Sequence, residues 1–221
     1  WKQLAYATQG GSLFGDTKLV EIRVPTGKLG RGGPEALQAL LDQSGPTAGD
    51  ALVLKQAGIL TSYQDNLLVG LSGRLVAMNP SNGVTRWEVT IGSSRGTNEV
   101  ERLVDLVSGV SRVNNVVCAR AFQTSVTCVD AQKGSNLWTR ASQGHVGVSG
   151  SQAALFGAES DGKFVAWSRA GGQVLWQSEA LRFRGLTAPA AADGQLVVGD
   201  DLGWLHWIDT SNGQTLARTQ I

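Results

Sequence analysis

The fold of this chain is decided by the stretch Gly73-Arg-Leu-Val-Ala-Met-Asn-Pro-Ser-Asn-Gly-Val-Thr-Arg-Trp87. Three later stretches align with it without a gap, at residues 124–138, 162–176 and 203–217. Each stretch has Gly four residues before its last position, and the first three end in Trp. The residues at these positions are Gly83, Gly134, Gly172 and Gly213, and Trp87, Trp138, Trp176 and Ala217. The chain is therefore built on an internal repeat.

Each stretch follows an apolar, strand-like run, and a tight turn such as Ser72-Gly73 joins the two into a hairpin. The last positions of the stretches are 51, 38 and 41 residues apart. A unit of about 40 residues made of four short strands is typical of a propeller blade. The sequence thus predicts a mainly β fold, a partial β-propeller of about four four-stranded antiparallel blades preceded by a small αβα segment.

The repeated tryptophans have a structural explanation. A blade cannot bury both faces alone, so neighbouring blades stack. We expect Trp87, Trp138 and Trp176 to pack between adjacent sheets rather than bind a ligand.

Residues 1–48 break the repeat and form a separate region, so we divide the chain into residues 1–48 and residues 49–221. The glycine-rich loop at 26–33 has neither the spacing of a P-loop nor that of a dinucleotide fingerprint, so we interpret it as a connecting loop. The predicted elements are a helix at 1–9, a strand at 18–24, a helix at 34–42 and a linker at 44–49.

Composition and motifs argue against catalysis and against nucleic-acid binding. The net charge of +1 gives no long-range attraction for nucleic acid or an acidic membrane. The sequence contains no His-Glu-x-x-His and no cysteine pair at zinc spacing. His145 and His206 are 61 residues apart, in different blades. We therefore predict that the chain is not an enzyme and holds no metal or cofactor.

Cys118 and Cys128 lie on two strands that a turn near Gln123-Thr124 joins into a hairpin. If this turn matches Ser72-Gly73, residues whose numbers sum to 247 face one another, and Cys118 faces Val129. The two cysteine side chains then leave opposite faces of the sheet, which predicts that no disulfide joins them. One extra residue in the turn would bring both onto one face.

Two strings resemble the BamB family of outer-membrane assembly lipoproteins. They are Gln195-Leu-Val-Val-Gly-Asp-Asp-Leu-Gly-Trp-Leu-His-Trp-Ile-Asp209 and Gly96-Thr-Asn-Glu-Val-Glu-Arg-Leu-Val-Asp105, and the second fills an insertion after the first repeat. The likeness extends over residues 51–221. It implies an eight-bladed propeller at the periplasmic face of the bacterial outer membrane, attached through a lipid anchor that is absent from this sequence. The Trp-Asp dipeptide of WD40 blades and the adjacent cysteines of quinoprotein dehydrogenases are absent.

The resemblance also implies a protein partner, the POTRA region of the barrel-forming subunit BamA, and no small-molecule substrate. In the family this contact uses a Leu-x-Leu-Arg motif and a nearby acidic loop. Leu52-Val-Leu54-Lys55 matches the motif, but Lys lacks the planar fork with which Arg makes bidentate contacts. Asp105 matches one Asp of the acidic loop, and Val107 stands where another is usual. The implied protein-binding residues are thus Leu52, Leu54, Lys55 and Asp105. Without the resemblance, the two leucines would be assigned to a buried strand face.

A different family is similar to the beginning of the chain. The string Ser12-Leu-Phe-Gly-Asp-Thr-Lys-Leu-Val-Glu-Ile-Arg-Val-Pro-Thr-Gly-Lys28 resembles part of the N-terminal domain of the δ subunit of bacterial DNA polymerase III, a clamp-loader component. The resemblance covers residues 1–45 and implies a chimera. The alternatives to a scaffold of the BamB type are therefore a quinone-dependent dehydrogenase domain and a clamp-loader interaction module formed by residues 1–45.

Overall fold

The computed structural model describes residues 20–23, 52–55, 58–93 and 104–221. The internal contacts of the chain divide it into two units, Trp1–Ala57 and Gly58–Ile221. In the first unit, β1 (Val20–Arg23) pairs in parallel with β2 (Leu52–Lys55). β1 lies inside the strand predicted at 18–24, whereas the two predicted helices fall outside the described residues. The domain boundary between residues 48 and 49 stays a prediction.

The second unit consists of four four-stranded antiparallel sheets, each made of four consecutive strands. This confirms the prediction of a partial β-propeller with four blades, and the described residues contain no helix. The first blade comprises β3 (Leu60–Tyr63), β4 (Asn66–Leu71), β5 (Arg74–Met78) and β6 (Thr85–Thr90). The second comprises β7 (Ser111–Val113), β8 (Val116–Ala121), β9 (Ser125–Asp130) and β10 (Ser135–Ala141). The third comprises β11 (Ser149–Gly150), β12 (Ala154–Ala158), β13 (Phe164–Ser168) and β14 (Val174–Ser178). The fourth comprises β15 (Ala190–Ala192), β16 (Gln195–Gly199), β17 (Trp204–Asp209) and β18 (Thr215–Gln220).

Tight turns set the register of these hairpins. In the first blade, Leu71 pairs with Arg74 across the turn Ser72-Gly73, whose φ angles are 46° and 76°. Two consecutive residues with positive φ match the twist of the flanking strands, and glycine adopts such angles without strain. A Cβ on Gly73 would also lie 2.5 Å from the carbonyl oxygen of Gly92, so this position requires glycine for a second reason.

Apolar side chains fill the space between successive sheets. Leu68 and Leu75 of the first blade share a buried cluster with Val117 and Val129 of the second. Two further clusters join the second blade to the third and the third to the fourth. The four sheets therefore stack face to face in chain order, as propeller blades do.

The repeated Trp and Gly residues meet between blades. The indole N–H groups of Trp87, Trp138 and Trp176 each donate to a backbone carbonyl of the next blade, at 3.1, 2.7 and 2.8 Å. A Cβ on Gly134 or Gly172 would lie within 2.6 Å of the indole packed against it, and the same holds for the glycine of the fourth blade. The accepting carbonyls belong to Ala131, Arg169 and Thr210, and the fourth-blade glycine is Gly213. Gly83 has the same left-handed conformation, with φ 71°, and no described atom lies within 4 Å of a Cβ placed there.

The predicted separation of the two cysteines is wrong. The turn between β8 and β9 contains three residues, Phe122, Gln123 and Thr124, so Ala121 pairs with Ser125. Positions that sum to 246, not 247, therefore face one another, and Cys118 lies directly opposite Cys128. Their Cα atoms are 4.0 Å apart and a disulfide joins them. The extra turn residue is the physical reason, because a shift of one position moves a side chain to the other face.

We expect denatured, unreduced protein to contain no free thiol and reduced protein to contain two, because both cysteines of the chain are in this bond. Titration with a thiol-reactive chromophore before and after reduction measures this directly. Two free thiols before reduction would contradict the disulfide between Cys118 and Cys128.

Candidate functional site

Two kinds of segment meet at one end of the four blades, which we call the connector end. One kind is the turn between the second and third strands of each blade, and the other is the link from one blade to the next. Links contact the turns of the blades that precede them: the N–H of Gln123 donates to the carbonyl of Gly144 at 2.9 Å, and the N–H of Phe183 donates to the carbonyl of Asp161 at 2.7 Å. Turns and links thus form one continuous surface.

Asp105 lies at the connector end, in the link that precedes the second blade. It is half-buried, and its carbonyl accepts a hydrogen bond from the N–H of Phe122 at 2.9 Å. The next residue, Leu106, forms a bridge with Ala121 at the end of β8. The carboxylate of Asp105 makes no hydrogen bond or ion pair with any other described residue.

The other implied contact residues lie in the first unit. Leu52, Leu54 and Lys55 belong to β2, where Leu52 is opposite Val20 and Lys55 is opposite Arg23 of β1. Pairing with β1 agrees with the strand assigned to this motif. Asp105, in contrast, belongs to the second unit.

A buried ion pair fixes the link before the third blade. The guanidinium of Arg120 donates to Glu159 at 3.3 Å, to the carbonyl of Ala158 at 2.6 Å and to that of Val146 at 3.1 Å. Burial lowers the pKa of Arg120 to about 10, although Glu159 opposes this change. Ser142 donates its hydroxyl to the same carboxylate at 2.9 Å. The link is thus attached to a charge pair rather than free to move.

A second buried carboxylate fixes the link before the fourth blade. Asp200 accepts hydrogen bonds from His206 at 2.9 Å, from the N–H groups of Trp204 and Leu202 at 3.0 Å each, and from Arg184 of the link. Burial alone would raise the pKa of Asp200, but these hydrogen bonds outweigh it and hold the pKa at about 2. The carboxylate therefore stays charged at neutral pH, which keeps its hydrogen bonds to the link.

Large apolar side chains that no sequence motif pointed to are exposed at the connector end. Phe122 is 41% exposed, Phe183 85% and Leu202 63%. Turn tips usually carry Gly, Asn, Asp or Ser, so a large apolar residue there is a signal that the sequence does contain. Exposed aromatic residues of this kind are enriched in protein–protein interfaces.

The opposite end of the blades has a different character. A depression of about 610 Å³ there is bordered by polar side chains and by Tyr63. Arg112 covers the ring of Tyr63, with its guanidinium carbon 6.0 Å from the ring centre. The residues that border the depression are Tyr63, Gln64, Arg112, Asn114, Asn115 and Gln132.

No group of three or more His, Cys, Asp or Glu side chains that could hold a metal occurs among the described residues. The described residues also contain no helix that is long and apolar enough to cross a membrane.

The connector surface and the stacked blades define a β-propeller segment with exposed, rigidly held loops at one end. The family model described as outer membrane protein assembly factor BamB matches residues 41–178. The chain belongs to the BamB family.

Relatives and solved structures agree with this assignment. BamB of Legionella pneumophila is 34% identical over 172 residues, which is 77% of this chain and 45% of that protein. The crystal structure of BamB from Moraxella catarrhalis has a TM-score of 0.67 at 26% identity and covers 73% of this chain and 49% of that one. A europium-containing methanol dehydrogenase shares the fold, with a TM-score of 0.55 at 12% identity over 73% of this chain and 41% of its own. This chain spans under half the length of the curated relatives it matches.

Proposed function

We propose that this chain is a non-enzymatic protein-interaction scaffold in the assembly of outer-membrane β-barrels, acting at the periplasmic face of the outer membrane. Its partner is the POTRA region of BamA. The match of residues 41–178 to the BamB family is the observation that carries this proposal, because it includes both Leu52–Lys55 and Asp105.

The connector end is suited to binding a protein. Its links are attached to buried carboxylates, Glu159 in the third blade and Asp200 in the fourth. Loops held in this way lose little conformational freedom on association, which favours affinity. The carboxylate of Asp105 gives the surface a charge with which a basic side chain of the partner can pair.

The chemistry of the described residues supports a scaffold rather than an enzyme. His145 contacts the hydroxyl of Ser160 at 3.2 Å, but that hydroxyl donates to the carbonyl of Gln143. His206 is buried against Asp200 and supports the fold of the fourth blade. Each histidine therefore has a partner that holds the structure together.

Charge reversal of Asp105 tests the proposal. Asp105→Lys is expected to raise the Kd for a BamA POTRA fragment about tenfold, because it replaces a favourable charge pair with repulsion. Titration calorimetry measures this change, and melting curves check that the variant is folded. Asp65→Lys is the matched control, since Asp65 is an exposed Asp in the turn between β3 and β4, at the opposite end of the blades.

The two variants together decide the result. Equal Kd values for the unaltered chain and for Asp105→Lys would refute the role of Asp105. An equal loss of affinity in Asp105→Lys and Asp65→Lys would show that the effect is one of net charge and does not belong to this surface.

A further inference from the structure

The turn that aligned the two cysteines also displays an aromatic ring. Ala121, the last residue of β8, is completely buried, and the next residue, Phe122, is 41% exposed at the tip of the hairpin. The corresponding turn of the first blade is the polar pair Ser72-Gly73. The residue of the first blade that aligns with Phe122 is Leu71, which is 50% exposed, so the second blade differs in presenting an aromatic ring at this position.

This turn is held on both sides by links. The N–H of Phe122 donates to the backbone carbonyl of Asp105 in the link before the second blade. The N–H of Gln123 donates to the backbone carbonyl of Gly144 in the link after it, and both distances are 2.9 Å. Within the turn, the hydroxyl of Thr124 donates to the carbonyl of Phe122 at 2.9 Å. The carbonyl of Thr124 accepts a hydrogen bond from the N–H of Ser142 at 3.2 Å. With its backbone held in this way, the turn that carries the ring loses little conformational freedom on binding.

The backbone of Phe122 is hydrogen-bonded to that of an acidic residue. Phe122 and Asp105 are joined by a hydrogen bond between their backbones, so the two residues are neighbours at the connector end. A lipid surface does not fit this pair of residues, because anionic headgroups would be repelled by the carboxylate and the membrane interior would desolvate it. A protein surface with an apolar pocket and a basic side chain at its rim fits both groups.

We propose that Phe122 is an apolar anchor for the protein partner, filling such a pocket while Asp105 pairs with the cation beside it. This inference rests on the proposed function, since it concerns the surface through which the chain binds BamA. It adds a contact that is not among Leu52, Leu54, Lys55 and Asp105. Buried aromatic anchors of this kind contribute much of the affinity of an interface, while their neighbours mainly exclude water.

The test compares two exposed phenylalanines at the same end of the blades. Phe122→Ala is expected to raise the Kd for the POTRA fragment at least about tenfold, which corresponds to about 1.4 kcal/mol. Phe122→Tyr keeps the ring and is expected to bind within about threefold of the unaltered chain. Phe183→Ala is the matched control, because it removes an even more exposed ring from the link before the fourth blade. It is expected to leave the Kd within about twofold.

Each outcome separates this inference from the proposed function. Weaker binding of Asp105→Lys with unchanged binding of Phe122→Ala would overturn the anchor and leave the proposed function standing. The same would follow if Phe183→Ala lost as much affinity as Phe122→Ala. If the unaltered chain does not bind the POTRA fragment, both the anchor and the proposed function are overturned. Binding to phosphatidylethanolamine–phosphatidylglycerol vesicles, or self-association, that is lost in Phe122→Ala would assign the ring to another occupant and overturn the anchor.

Discussion

Replacement of Trp138 with alanine is expected to lower the free energy of unfolding by about 3–5 kcal/mol, the usual cost of deleting a large buried aromatic side chain. Trp138 is 6% exposed and packs between the second and third blades with Val148 and Leu155. Its indole N–H donates to the carbonyl of Arg169 at 2.7 Å. The substitution would leave a cavity between two sheets and a buried carbonyl without its donor.

Urea unfolding followed by circular dichroism measures the loss, and the neighbouring residue provides the control. Leu137 precedes Trp138 on β10 but is 45% exposed, so Leu137→Ala is expected to cost under about 1 kcal/mol. Trp138→Phe separates the two contributions, because it keeps most of the apolar volume and removes the hydrogen bond, at about 1 kcal/mol. Equal losses for Trp138→Ala and Leu137→Ala would show that the indole does not join the blades.

The blade architecture could be predicted because its signals repeat. Trp87, Trp138 and Trp176 recur at intervals typical of propeller blades, and the glycine four residues before Trp138 or Trp176 packs against the indole of the preceding blade. A glycine is needed there because any larger side chain would overlap the indole, as the position of Gly172 against Trp138 demonstrates. Because each pair of neighbouring blades makes the same contact, the residues that form it recur at a regular interval in the sequence.

The turn of the second blade could not be predicted in the same way. An alignment on Trp and Gly transfers the turn Ser72-Gly73 to the second blade by analogy, but the residues there give no signal of their own. Gln123 adopts a φ of 49°, which glutamine has no special tendency to do. Hydrogen bonds to the two links hold it in place, and these links are distant in sequence. The register of Cys118 and Cys128 depends on that long-range support.

The charged residues of the connector end were equally hidden. Arg120 follows an apolar run and would be expected to point to solvent, yet it is completely buried. Gly144 and Gly157 make this possible, since a Cβ at either position would overlap the guanidinium. The partners of Arg120 come from the third blade and the link before it. Only the packing of successive blades brings these residues together, so no local sequence pattern indicates that Arg120 and Glu159 form an ion pair.

Replacement of Arg120 with methionine is expected to destabilise the chain by about 3–5 kcal/mol, because removing one member of a buried ion pair leaves the other charge unpaired. Glu159 would keep the hydroxyl of Ser142 but lose its cation, and the carbonyls of Val146 and Ala158 would lose their donor. Methionine fills much of the volume of arginine, so the loss would report on charge and hydrogen bonding more than on a cavity.

An exposed ion pair of the first blade is the control for this prediction. Arg74 and Glu88 are 3.0 Å apart, and their side chains are 56% and 53% exposed. Arg74→Met is therefore expected to cost under about 1 kcal/mol in urea unfolding at pH 7. Adding Glu159→Gln to Arg120→Met should recover part of the lost stability, since the amide carries no charge to leave unpaired. A double variant less stable than Arg120→Met would indicate that Glu159 is stabilised by its other hydrogen bonds and not by Arg120. An Arg120→Met variant as stable as Arg74→Met would show that the link before the third blade does not depend on the buried pair.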